Sequence, residues 1–179
     1  MATLSNLDIL PEHCVKSVVV LGCGNVLLGD DGFGPAVAER LASGEIPVWS
    51  TVIDAGTAVR ELLFDMALSD QRPERIVVVD AVDAGRKPGE VFEIPLEEIP
   101  KAKVTDFSPH QAPTSNLLRE LRDHCDVEVT VLVCQVSCIP REVQVGLSPA
   151  VKRAVERMAR LVRSRFLCEE KTPRSAGVG

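Results

Sequence analysis

Short apolar runs alternate with amphipathic stretches along the chain, the pattern of a sheet covered by helices on both faces. Residues 16–21 (KSVVVL) predict a first buried strand that runs into glycines. Residues 33–43 (FGPAVAERLAS) predict the helix that follows, with Pro35 tolerated in its first turn and Gly44 as its stop. A second strand is expected over 48–53, then a helix over 57–68 (TAVRELLFDMAL), whose apolar residues recur three and four apart. Residues 75–79 (RIVVV) are almost wholly β-branched and predict a central third strand.

The pattern then loosens. Residues 90–94 form a short strand after the turn signal Lys87-Pro88-Gly89. A proline-containing loop over 95–113 is long enough to imply a function beyond connection. Thr114 or Ser115 caps a helix through about residue 124, and 128–133 is the last long strand. Ser148 caps a final helix from Pro149 to about residue 166. Three parts follow: an N-terminal segment 1–15, one α/β domain over 16–167, and a tail 168–179 without apolar periodicity, expected to be disordered.

Composition narrows the function classes. The 179 residues are 45% hydrophobic and 26% charged, which suits one globular domain. A net charge of -6 argues against a nucleic-acid partner, which needs a concentrated basic patch. No apolar run is long enough to span a bilayer, and the N-terminus has no basic region followed by an apolar one. A cytoplasmic location is therefore expected. The six cysteines, in that setting, are expected to remain reduced, most of them as buried structural thiols.

Chemistry gathers where the predicted strands end. In open α/β sheets the functional crevice lies at the carboxyl ends of the strands. The first strand leads to Gly22-Cys23-Gly24-Asn25 and then Gly29-Asp30-Asp31-Gly32; the second ends in Asp54-Ala55-Gly56, the third in Asp80-Ala81-Val82-Asp83. Any one aspartate has a plain structural use, as a turn residue or beside a helix start. Together they repel one another and call for a cation or for hydrogen-bond donors. Among the three histidines, His13 and His124 read as solvated, whereas His110 lies in the long loop, in Ser108-Pro109-His110-Gln111. Two carboxylates and one imidazole suit a divalent transition metal, and Asp31, Asp80 and His110 form such a set if the loop folds over the strand ends. Zinc-helix, nucleophile-elbow and phosphate-loop motifs are absent from the sequence. Gly22-x-Gly24 begins like a dinucleotide fingerprint, but Leu27 occupies the third glycine position.

The run LGCGNVLLGDDGFGPAVAERL (residues 21–41) resembles the opening signature of the hydrogenase maturation endopeptidases. IDAGT (53–57), VVVDAVDAG (77–85), SPHQ (108–111) and GLSPAVKRAVE (146–156) follow in that family's order, and the paired Asp30-Asp31 with the SPHQ histidine is similar to the branch serving deazaflavin-reducing hydrogenases of methanogens. The resemblance implies a three-layer α/β/α fold with a mixed, mostly parallel five-stranded sheet, residues 90–94 being the candidate antiparallel strand. It implies removal of a C-terminal extension from a nickel-iron hydrogenase large-subunit precursor after nickel insertion. Asp31, Asp80 and His110 match the family's three ligands for that nickel, which the precursor supplies; no organic cofactor is implied. Asp54 matches a further acidic position. The stretch Cys134-Gln135-Val136-Ser137-Cys138 departs from the family and would place a thiol near the site. A non-catalytic, nickel-dependent maturation checkpoint would use the same ligands, and a nucleotide-binding module would explain the glycines.

Overall fold

The computed structural model describes residues 10–99 and 114–168. Five strands, β1 (Val18–Cys23), β2 (Ser50–Gly56), β3 (Arg75–Val82), β4 (Val91–Glu93) and β5 (Glu128–Gln135), form one sheet in the order β2-β1-β3-β5-β4. All neighbours are parallel except β4, which runs antiparallel to β5 at one edge. The helices are α1 (Glu12–Val15), α2 (Phe33–Ala42), α3 (Val59–Leu68), α4 (Thr114–His124) and α5 (Pro149–Val162). The expected mixed α/β sheet between helical layers is present.

Alternation along the strands divides the core in two. Val18 and Val20 of β1 and Val77 and Val79 of β3 pack under α2 and α5, whereas Val19, Leu21, Ile76 and Val78 pack under α3 and α4. Strands buried on both faces read as unbroken apolar runs because each face has its own helical layer to satisfy. Leu63 and Met66 of α3 and Met158 of α5 are fully buried, and each such side chain contributes about 2 kcal/mol of apolar burial.

Strands β1, β2, β3 and β5 all run past the ends their composition predicts, and the reason is pairing. β3 continues through Asp80 to Val82 because β5 continues beside it, with Asp80 opposite Val133 and Val82 opposite Gln135. β2 begins later than expected, at Ser50, because residues 47–50 form a turn in which the Ser50 N–H and hydroxyl both donate to the Pro47 carbonyl. It then runs through Asp54 to Gly56. Asp54 and Asp80 therefore sit inside strands rather than beyond them. The chain after α5 widens into a π-helical turn, Arg163–Leu167, that buries Phe166 and Leu167. The expected cap of α5 is also revised: Ser148 occupies the N-cap position, but its hydroxyl makes no cap bond and donates instead to Asp30 Oδ2. Gly44, expected to stop α2, has no left-handed φ; Ser43 ends the helix with its N–H on the Glu39 carbonyl.

His13 corrects a further expectation. It is buried rather than solvated, 8% exposed, with Nε2 3.5 Å from Asp65 Oδ2 of α3. The short α1, which has no periodicity long enough to announce it, carries it there. His124 is exposed, as its position predicts.

Candidate active site

β1 turns out of the sheet at Gly24, whose φ is +130°, and a Cβ there would lie 1.9 Å from the Asp31 carbonyl oxygen. Only glycine lets the chain pass that close. Residues 29–32 then form a single 3-10 turn that leads into α2 and buries both aspartates. Gly34 serves the same purpose one turn later: a Cβ on it would meet the Cys23 carbonyl at 2.2 Å and the Val79 carbonyl at 2.4 Å. The glycines of this stretch thus bring α2 against β1 and β3 and fix where Asp31 stands.

Asp31 is 1% exposed, and its Oδ2 accepts the Asn25 N–H at 2.7 Å. That bond takes up an N–H which a phosphate-binding loop would offer to its ligand. Asp31 lines a cavity of about 110 Å³ together with Asp80. The half-buried Asp80 reaches it from β3, its Oδ1 accepting the Ala81 N–H at 2.7 Å. The remaining wall is largely apolar, with Val78, Val131, Val133 and Leu118 from the α3–α4 side of the sheet. Polar groups Thr57 and Ser115 complete the rim.

His110 lies outside the described residues. The residues that flank its segment, Ile99 and Thr114, both line the cavity that Asp31 and Asp80 share. Among the described residues no three His, Cys, Asp or Glu side chains form a cluster able to hold a metal. Asp54 is not brought to this cavity. Its exposed carboxylate accepts the Gly56 N–H at 3.0 Å, a local turn bond, and it lines a second groove on the α2 side of the sheet.

The two adjacent aspartates divide their work. Asp30, 2% exposed, points away from the cavity into a clamp: Oδ2 accepts the Ser137 N–H at 2.8 Å and the Ser148 hydroxyl at 2.9 Å, and Oδ1 accepts the Ser148 N–H at 2.6 Å. Asp30 is thus a brace between the 3-10 turn and the loop after β5, more than a helix-start residue. The same loops are stitched by backbone bonds, from the Gly29 N–H to the Gln144 carbonyl and from the Gln144 N–H to the Leu27 carbonyl.

The cysteine expectations need correcting in two ways: only Cys14, Cys23 and Cys134 of the six are buried, and the Cys134–Cys138 stretch does not bring its buried thiol to the site. Cys134 faces α5 on the opposite side of the sheet from the cavity, fully buried, and burial, reinforced by Asp30, pushes its thiol up to about 12. Cys138 is exposed. The thiol at the cavity wall is instead that of Cys23. No disulfide links any of the six cysteines.

Gln135 is a residue the sequence reading passed over. It is 3% exposed; its Oε1 accepts the N–H groups of Ala84 and Arg86, while its Nε2 donates to Asp83 Oδ1 and the Val136 carbonyl. It fixes the chain that follows Asp80. The Gln135 amide, with the Gly85 N–H, holds the Asp83 carboxyl below the usual carboxylate range. The signal was a lone amide ending an apolar run, a polar side chain that burial obliges to find partners.

No helix among the described residues is long and apolar enough to cross a membrane. The sequence profile of the hydrogenase maturation protease family matches residues 35–165. A putative hydrogenase maturation protease of Methanocaldococcus jannaschii is 36% identical over 149 residues, covering 82% of this chain and 94% of its own. The coenzyme F420 hydrogenase subunit delta of Methanothermobacter thermautotrophicus is 34% identical over 154 residues, covering 81% and 91%. The crystal structure of a hydrogenase 3 maturation protease superposes with a TM-score of 0.61 at 31% identity, over 81% of this chain and 88% of that one. The chain belongs to the hydrogenase maturation proteases.

Proposed function

We propose that this peptidase removes the C-terminal extension of a nickel-iron hydrogenase large-subunit precursor once nickel has been inserted, and that Asp31, Asp80 and His110 bind that nickel. The observation that carries the reading is the convergence of Asp31, Asp80 and both flanks of the His110 segment on one cavity. Two carboxylates from β1's exit loop and β3, joined by one imidazole, make an oxygen-nitrogen donor set suited to a divalent transition ion. The nickel belongs to the substrate. Its arrival marks the precursor as ready and registers the extension against the cleft. A carboxylate of the pair then serves as general base toward an attacking water, with the scissile carbonyl polarised beside it. No organic cofactor enters this scheme. The similarity to a coenzyme F420 hydrogenase subunit supports a deazaflavin-reducing hydrogenase as the one served.

The test is to incubate the protein with nickel-loaded and nickel-free precursor and to weigh the products by mass spectrometry. Shortening of the nickel-loaded form alone is expected. Equal processing of both forms would overturn the nickel requirement, and no processing of either would overturn the peptidase assignment for this partner.

A further inference from the structure

β2 is the outer strand of the sheet at the end opposite β4, and among the described residues no strand pairs with its outer side. Its seven residues carry a single charge, Asp54, and neither the proline nor the lysine that commonly blunt exposed edges. Beside it runs a groove of about 480 Å³, lined by Val52 and Asp54 of β2, Glu39 and Ala42 of α2, and Val26 and Val145 from the two stitched loops. Val26 is 53% exposed and Val145 is 73% exposed, apolar surface left to water. The groove is mostly apolar, with two exposed carboxylates, Glu39 and Asp54, at its wall.

This edge leads to the cavity that holds Asp31 and Asp80. Gly56, the last residue of β2, lines that cavity with Thr57, and its carbonyl accepts the Gly24 N–H at 3.0 Å. A chain laid along β2 would therefore be delivered to the two carboxylates at the strand's end.

We infer that an extended segment of the precursor, apolar and carrying at least one lysine or arginine, docks by strand addition along the outer edge of β2. The inference rests on the peptidase reading above. Main-chain bonds to β2 would supply affinity without regard to sequence, and alternate side chains would face the groove. Val52 and Asp54, two residues apart, both face it, so every second residue of the guest is read there. Apolar guest residues cover Val26, Val52 and Val145, and a cationic one meets Glu39 and Asp54. At the rise of a strand, β2 offers contact over about 23 Å. A protease that cuts near a fixed metal gains from such a rail, because it sets the register of the peptide before chemistry.

The test places a benzophenone-bearing phenylalanine at Ala42 or Val145, with Leu68 on α3, 70% exposed, as the control position. Each full-length protein is irradiated with the nickel-loaded precursor, after wild-type cleavage of that precursor has been measured. Cross-links from Ala42 and Val145 to the C-terminal segment, and none from Leu68, are expected. Cross-links to the folded body of the precursor, to a second copy of this chain, or to nothing would overturn the inference while wild-type cleavage stands. Absence of wild-type cleavage would instead bring down the peptidase reading on which it rests. Ala42→Trp, which fills the groove from an exposed helix position, is expected to raise KM about tenfold with kcat held within about twofold, the split expected when uniform binding is lost. Glu39→Lys should raise KM in the same direction. An Ala42→Trp protein with unchanged KM and an unchanged melting temperature would also overturn it.

Discussion

The carboxylate of Asp30 accepts the backbone N–H of Ser148 at 2.6 Å, tying together points 118 residues apart. Asp30→Ala removes both oxygens from three donors and leaves the Ser137 and Ser148 N–H groups without their partner. Unfolding in urea should show a loss of about 3 kcal/mol, since buried groups stripped of a charged partner pay their full desolvation cost. Asp30→Asn should recover part of it.

Asp80→Asn and His110→Ala should behave in the opposite manner. Stability should stay within about 1 kcal/mol of wild type, because Asp80→Asn keeps the size of a half-buried side chain and the sequence places His110 in a loop. Cleavage of nickel-loaded precursor should fall by about 100-fold or more as the substrate loses one of its anchors. Melting temperature and product mass, read on the same samples, separate binding from folding. A folded His110→Ala protein with full activity would exclude that histidine from the site.

Cys134 predicts an alkaline weakness. The unfolded thiol ionises from about its ordinary 9.0, whereas the folded one stays protonated until about 12. Between those values the unfolded chain binds fewer protons, so stability is complete below the lower value and drops as pH rises, by about 1 kcal/mol per unit. Cys14, its thiol also pushed up chiefly by burial, acts in the same direction. Denaturation at pH 8 and pH 10.5 should show the loss, and Cys134→Ala should reduce the slope. A thiol reagent at neutral pH should label Cys138 and Cys168, which are exposed, well before Cys134.

Gly34→Ala should prevent folding or cost several kcal/mol, because its Cβ would penetrate backbone atoms of both β1 and β3. Gly85→Ala meets nothing within 4 Å, but its φ is +69°. That change should cost about 1 kcal/mol, the penalty of a left-handed conformation for a residue with a side chain. Circular dichroism melts of the two variants distinguish a steric glycine from a conformational one.

Gln135→Ala tests the amide that orders the chain after Asp80. It should lose about 2 kcal/mol, and hydrogen exchange at Ala84 and Arg86 should quicken, since both N–H groups donate to the lost Oε1.

The apolar pattern located the long elements, as stripes three and four residues apart in the helices and as unbroken runs in strands buried on both faces. Boundaries were displaced where a partner strand, invisible to local pattern, carried pairing on: Asp80 joined β3 because Val133 lay beside it. Asp31 is singled out by its match to the family's motif, but the separate destinies of Asp30 and Asp31 are not legible there. They follow from a 3-10 turn that aims adjacent side chains at different neighbours. Cys134, expected near the site, lies on the opposite face of the sheet for a similar reason. Which face of the sheet a strand residue occupies depends on register, and register is settled by the whole sheet.

Anchoring Thr114 at the cavity wall has a kinetic meaning. His110 is four residues away along the chain, so covalent geometry keeps it within about 14 Å of that anchor. Confinement to a volume of that size corresponds to an effective imidazole concentration on the order of 0.1 M. On the proposed reading, a precursor's nickel would meet the His110 imidazole as a tethered neighbour, at a concentration no free histidine in solution would supply.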